Sequence, residues 1–270
     1  MTHGSLFSGI GGFELGAKWA GIETLWSCEI EDFQRKILKK NFPNVKQYKD
    51  IKELENPEYV DIISGGFPCQ DISIANAGKA KGIKGQRSGL WSEYFRIIRH
   101  VRPKYIIAEN SSAITFRGLE QVLCDLYEIG YNAEWQCLSA TSFGFKDIRE
   151  RIYIIAYPGS QGEFRQGMGN AFIDVQQYKN EKIGREIWNS FGVDTKEMVF
   201  NFNGGGNPRQ NINAEPLLCG SVNGVSNWMD KRNGALGNSI KPQIAQYLFE
   251  CIKLHDKINE LLRLYTHRIK

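Results

Sequence analysis

Paired cysteines are what this chain most clearly lacks. Its six cysteines, at positions 28, 69, 124, 137, 219 and 251, include no C-x-x-C pair and no metal-ligand spacing. That speaks against a metal site or a disulfide framework and fits free thiols in a reducing compartment. A long apolar run is also missing, as is a basic-then-apolar leader, so a soluble cytoplasmic protein with no membrane partner is expected. No strong excess of one charge is present. Lys plus Arg number 34 and Asp plus Glu 30, leaving +4, which permits an anionic partner without demanding one. There is no internal repeat and no low-complexity block. With 270 residues, 41% of them hydrophobic, the chain can bury a real core in one large domain or a large one plus a small one.

What is present centres on Gly65-Gly66-Phe67-Pro68-Cys69-Gln70. It follows an apolar run, Tyr59-Val60-Asp61-Ile62-Ile63, that reads as a buried strand bounded by glycine. A cysteine just past a strand's carboxyl end sits where open α/β sheets place their ligands. Pro68 fixes its own φ and stiffens the approach. On these residues alone, Cys69 is either a buried free thiol in a turn or a nucleophile. The chain's first stretch has similar grammar. His3-Gly4-Ser5-Leu6-Phe7 is short and apolar, Ser8-Gly9-Ile10-Gly11-Gly12 breaks it, and an amphipathic helix follows, with Phe13, Leu15, Trp19 and Ala20 on its expected inner face. Strand, glycine turn and helix open a nucleotide-type βαβ unit. The next strand, from Glu23 to Cys28, ends at Glu29, 20 positions after Gly9. That is close to the spacing at which a carboxylate grips a ribose hydroxyl. An ordinary turn followed by a solvated acid is the competing reading.

Further along, periodicity predicts helices over 31–41, 90–101 and 116–128, the last closed by Gly130. Strands are predicted at 46–48 (running on to Asp50-Ile51), at 105–108 (ending in Glu109-Asn110), at 133–138 and at 151–156. Between Asp71 and Glu93 the chain has no acid, but it has Lys79, Lys81, Lys84 and Arg87 among glycines. A glycine-hinged basic loop beside a candidate nucleophile reads as a flap over a polyanion. Strands alternating with helices argue an α/β fold with a Rossmann-like, mostly parallel sheet over 1–157. Residues 158–232 are rich in Gly and Asn and read as a small irregular lobe. Residues 233–270 carry a helix to about 254 and a basic helical tail.

Together these stretches resemble the DNA (cytosine-5)-methyltransferase family. The resemblance rests on Phe7-Ser8-Gly9-Ile10-Gly11-Gly12, Pro68-Cys69-Gln70, Glu109-Asn110, Arg149-Glu150-Arg151 and Gly237-Asn238-Ser239, which occur in family order. It implies the S-adenosylmethionine-dependent methyltransferase fold, with the small lobe recognising the target. It implies transfer of a methyl group from S-adenosylmethionine to C5 of a flipped cytosine, with S-adenosylhomocysteine as product. Cys69 would be the thiolate that adds to C6. Glu109 would contact N3 and the exocyclic amine. Arg151 would hold the oxygen at C2, and Arg149 would support that site or a phosphate. Phe7, Gly9, Gly11, Glu29, Ile30, Asp50, Ile51, Pro68, Asn238 and Ser239 would form the cofactor pocket. Gln70, Ser73, Lys79, Lys81, Lys84 and Arg87 would contact DNA, from which the base must be extruded.

The implied partner is double-stranded DNA, met by a monomer of prokaryotic or viral origin, with a companion restriction endonuclease where the enzyme belongs to a restriction-modification pair. Where the family commonly has Pro-Gln, this chain has Lys146-Asp147, and Ser111 stands where Val often follows Glu-Asn. The transfer-RNA branch of the family is expected to carry Cys-Phe-Thr, which this chain does not. A catalytically silent DNA-binding relative is the other alternative, against which Cys69, Glu109 and Arg151 all stand.

Overall fold

The computed structural model describes residues 1–68, 89–116, 118–143, 145, 149–159 and 239–269, with side chains of the last helix to residue 260. The candidates Cys69, Gln70, Ser73, Lys79, Lys81, Lys84, Arg87 and Asn238, the pair Lys146-Asp147 and nearly all of the 158–232 lobe lie outside them.

Along the described chain come β1 (Thr2–Leu6), α1 (Gly12–Trp19), β2 (Glu23–Cys28), α2 (Asp32–Asn41), β3 (Lys46–Tyr48), β4 (Ile62–Gly66), α3 (Gly89–Val101), β5 (Tyr105–Ser111), α4 (Leu119–Glu128), β6 (Tyr131–Ser139), β7 (Glu150–Pro158) and α5 (Pro242–Ile269). The seven strands form one sheet in the order β3-β2-β1-β4-β5-β7-β6. β3, β2, β1, β4 and β5 run parallel. β7 runs antiparallel to both β5 and β6. This is the expected α/β methyltransferase architecture.

The central strands read as unbroken apolar runs because helices cover both faces. On one face, Trp91, Tyr94, Ile97 and Ile98 of α3 and Val122 and Leu126 of α4 pack on Ile63, Ile106, Ile152 and Ile154. On the other, Phe13 and Ala17 of α1 and Ile244, Leu248 and Ile252 of α5 pack on Ile62, Ile107, Tyr153 and Ile155. The strand order reverses between β1 and β4, which opens a crevice at their carboxyl ends.

Four local expectations are corrected. Phe13 and Ala20 are buried as expected, but Trp19 is 46% exposed and Leu15 is only partly buried. The inner stripe of α1 is instead Gly16 and Ala17, because α5 lies against it: a Cβ on Gly16 would stand 2.5 Å from that of Ala245. β4 begins at Ile62 rather than at Tyr59. Trp26 Nε1 donates to the Glu58 carbonyl (2.8 Å) and holds the preceding segment outside the ladder. Phe116 is 92% exposed at the end of a short 3-10 turn, Ser112–Phe116, and α4 starts only after Gly118. The helix expected to about 254 and the helical tail expected after it are one unbroken element, α5, running to Ile269. His255 is still buried there, 3.0 Å through Nδ1 from the Tyr105 hydroxyl.

His3 braces three strands. Its Nδ1 pairs with Thr24 Oγ1 on β2 (2.9 Å) and its Nε2 with Ser64 Oγ on β4 (2.7 Å). Burial lowers its pKa from 6.5 to about 3, so the imidazole is neutral. The stabilisation this gives is complete above 6.5 and is lost as pH falls towards 3, by up to about 1.4 kcal/mol per pH unit. Urea titrations across that range should show this loss in the wild type. A His3→Leu variant should show a shallower acid slope on top of a pH-independent cost of about 1–3 kcal/mol for the hydroxyls left unpaired. Gly16→Ala tests the helix contact. Helix propensity alone favours alanine by about 1 kcal/mol, but the added methyl meets Ala245 Cβ at 2.5 Å and the Gln246 backbone nitrogen at 2.7 Å. Overpacking against backbone should win, giving a net loss of about 1–2 kcal/mol in the same titration.

Candidate active site

Two clusters of side chains meet at the carboxyl end of the sheet. The first is built by the turn after β1. Phe7 is held at φ 53°, a left-handed value rare for a residue with a Cβ and a mark of local strain. Gly11, at φ 96°, caps α1, which only glycine does without penalty. The Gly9 N–H donates to Glu29 Oε2 (2.7 Å) and the Glu31 N–H to Glu29 Oε1 (2.9 Å). Burial raises the pKa of Glu29, and those two N–H groups oppose it. Its neighbour Ile30 is 58% exposed, an apolar side chain facing solvent. Asp50, past β3, accepts from the Lys52 N–H (2.9 Å) and caps a short 3-10 turn, Ile51–Glu53. An acid at the end of β2, an exposed aliphatic and an acid at the end of β3 fit a ribose diol, an aromatic base and its amino group in turn. Ile51 departs from this set. Its side chain is buried in the core and its carbonyl accepts from Arg96 (2.7 Å), which leaves only its N–H for a ligand.

The second cluster is set by register. Gly66, the last residue of β4, pairs with Glu109 on β5. Glu109 in turn faces Tyr153 on β7, and Arg151 pairs with Ser111, so Arg151 is its diagonal neighbour on the same face. Only an antiparallel β7 brings its first residues to this end of the sheet. Arg151 Nε stands 3.2 Å from Glu109 Oε1, yet no well-angled hydrogen bond reaches that oxygen among the described residues. Burial raises the Glu109 pKa, and the charges of Arg151 and then Arg149 pull against it. The site needs Gly66, because a Cβ there would come 2.5 Å from Glu109 Oε2. Asn110 points to the opposite face, donates from Nδ2 to the Phe67 carbonyl (3.1 Å) and accepts from the Ser111 N–H (2.7 Å). It therefore pins the main chain immediately before Pro68, the last described residue ahead of Cys69. Arg149 donates to the Ser239 carbonyl (2.8 Å). The Ser239 hydroxyl lies 3.0 Å from where a Cβ on Gly12 would stand.

Phe7, Gly9, Gly11, Glu29, Ile30 and Asp50 thus gather over β1, β2 and β3, and Pro68, Glu109 and Arg151 over β4, β5 and β7. Arg149 and Ser239 tie the start of α1 to the approach to β7. Sequence reading missed the clamp by Asn110, which appeared only as the partner of Glu109 in a dipeptide. It also missed Glu14, a single acid in a helix, which turns out to be 1% exposed.

The model of the C-5 cytosine-specific DNA methylase family matches residues 1–214. Over 160 residues the chain is 38% identical to the type II methyltransferase M2.BsuMI of Bacillus subtilis, covering 56% of this chain and 41% of that protein. Over 159 residues it is 34% identical to the type II methyltransferase M.HhaI of Haemophilus parahaemolyticus, covering 56% and 47%. The chain therefore spans less than half the length of these relatives. The methyltransferase EhMeth of Entamoeba histolytica has the same fold, with a TM-score of 0.57 over 96% of this chain and 98% of that one at 15% identity.

The ion pair makes a directional prediction. Arg151→Met removes the stronger of the two cationic influences that hold the Glu109 pKa down, so carbon-13 NMR of the Glu109 carboxyl should show its titration midpoint move up. Gly66→Ala should alter the same signal by displacing Oε2, with a small effect on unfolding because the displaced atom is a side-chain end. An unmoved midpoint in Arg151→Met would refute the pairing.

Proposed function

This chain belongs to the C-5 cytosine-specific DNA methylase family, and from that premise we propose that it transfers a methyl group from S-adenosylmethionine to C5 of cytosine in double-stranded DNA. The observation that carries the proposal is the pairing of a buried Glu109 with a half-buried Arg151 at the carboxyl end of β5, beside the strand that leads into Pro68-Cys69. Cytosine C5 is a poor nucleophile. Addition of a thiolate at C6 turns it into an enamine carbon. In our reading the Cys69 sulfur forms that bond, and the displaced ring electrons move towards N3 and the oxygen at C2. A carboxyl with a raised pKa can donate to N3, and Glu109 has that property together with an oxygen available to an incoming group. Arg151 then holds the C2 oxygen with a fixed donor. S-adenosylmethionine supplies the electrophilic methyl group on a sulfonium. Once C5 carries the methyl group, its proton leaves to a base, the C6–S bond breaks, and Glu109 recovers its proton.

The first cluster supports cofactor binding by its donor set. In this reading Glu29 takes the ribose hydroxyls, Ile30 the face of the adenine and Asp50 its amine. Phe7, Gly9, Gly11, Pro68, Asn238 and Ser239 complete that pocket in the proposal. We assign Gln70, Ser73, Lys79, Lys81, Lys84 and Arg87 to the DNA, and target recognition to residues 158–232. A target base inside a stacked duplex is out of reach of these groups, so we include its extrusion. By likeness to the two type II methyltransferases, we read the action as directed to a specific site, with a restriction endonuclease as counterpart.

A duplex carrying 5-fluorocytosine at the target tests the chemistry, since fluorine cannot leave as a proton does. The wild-type protein with S-adenosylmethionine should form an adduct stable to denaturing electrophoresis. Cys69→Ser should form none while still binding DNA. Glu109→Gln should slow turnover by about 10²- to 10⁴-fold, and Arg151→Ala by about 10²- to 10³-fold. A full-strength adduct in Cys69→Ser would sink the assignment.

A further inference from the structure

Glu14 has no part in the chemistry above, yet it is the most deeply buried acid beside the cofactor turn. It sits in the first turn of α1, two residues past Gly12, and is 1% exposed. Neither carboxylate oxygen has a hydrogen-bond partner among the described residues. Its own backbone N–H and then the hydroxyls of Ser8 and Ser5 are close enough to favour its ionised form, but Ser8 Oγ donates to Ser5 (2.9 Å to Oγ) rather than to Glu14. Burial outweighs them and lifts its pKa from 4.5 to about 7. A buried acid with two bare oxygens is normally neutral or answered by a cation.

Among the described residues, the elements packed around it place no cation beside it. On β1, His3 is neutral. At the end of β2 stands Glu29, a like charge that raises the Glu14 pKa further. On α5, the residues against Gly16 are Ala245 and Gln246, and Lys253 reaches the far end of α1, donating to the Ala20 carbonyl (2.9 Å). The ligand proposed for the turn does carry a fixed cation, the sulfonium, which the demethylated product has lost.

We propose that Glu14 is the counter-charge for the sulfonium of the bound cofactor, giving up its proton when that cation arrives and so favouring the methyl donor over its neutral product. The inference rests on reading the glycine turn as the cofactor site. The balance is simple. The neutral acid and the sulfonium ligand become a carboxylate–sulfonium pair plus one proton released to solvent. With S-adenosylhomocysteine no cation arrives, and the proton stays. The two ligands share ribose and adenine, so any titration of Glu29 on binding is common to both and cancels in their difference.

Calorimetry on the full chain reads this directly, with each ligand titrated in two buffers of different protonation enthalpy. At about pH 6 the donor should release close to one proton more than the product does, and the difference should shrink above about pH 7. The donor-to-product affinity ratio should rise by up to about tenfold per pH unit below that point and then flatten. Glu14→Gln should abolish the extra proton and make the ratio independent of pH. Equal proton release by the two ligands in the wild type overturns the proposal and leaves Glu14 a permanently neutral structural acid. If the glutamine variant fails to fold, this wild-type comparison alone decides. If neither ligand binds the wild type, the functional reading of the turn falls, and this inference falls with it.

Discussion

The structure depends on the parallel register of β1, β4 and β5. His3 faces Ile62 and Leu6 faces Gly65 across one ladder, and Gly66 faces Glu109 across the next. That alignment ends three strands at one level, so a glycine turn, the lead into Pro68-Cys69 and a buried carboxyl open on one crevice. A slip of one residue between β4 and β5 would reverse the faces of Glu109 and Asn110. The acid would then lie where Asn110 grips Phe67, and neither the ion pair with Arg151 nor the clamp could form. Gly66 keeps that edge free of a side chain that would meet the carboxyl, and Gly65 leaves room for the Leu6 backbone on the next strand.

Three acids crowd this edge, and burial raises the pKa of each. Each is answered differently. Two backbone N–H groups hold Glu29, a guanidinium stands beside Glu109, and Glu14 has only its own backbone N–H and two serine hydroxyls nearby. The gradient runs from an acid shaped for hydrogen bonding to one left short of a partner. Desolvating carboxylates in this number is unfavourable for folding. It is tolerable because the apolar layers on both faces of the sheet are continuous and deep.

Much of this was legible in the sequence, for physical reasons. β-branched runs around Ile62, Ile106 and Ile154 mark strands that only a sheet covered on both faces can hold, and Gly9, Gly11 and Gly130 mark the turns. Other features were hidden because they depend on partners distant in the chain. Nothing local says that β7 reverses direction, yet the reversal is what brings Arg151 to Glu109. The helical period of α1 put Trp19 and Leu15 inside, whereas the close approach of α5 reserves that stripe for Gly16 and Ala17. Ile51, expected in the cofactor pocket from the family resemblance, buries its side chain in the core, so only its backbone N–H is left for that role. The burial of Glu14 comes from its packing and leaves no mark in composition.

The packing of α5 on α1 has a kinetic meaning. Lys253 and the Ala20 carbonyl are 233 positions apart and in contact, so the second core layer has very high contact order. A chain emerging from the ribosome can pair its parallel strands and cover one face with α3 and α4 long before α5 exists. Until then only α1 lies over Ile62, Ile107 and Ile155, and the part of that face reserved for α5 stays exposed. Such long-range closure is slow, and an uncovered sheet face is what chaperones bind and what aggregates grow from. Closure of this layer is therefore limited by how long the exposed part of that face waits for α5.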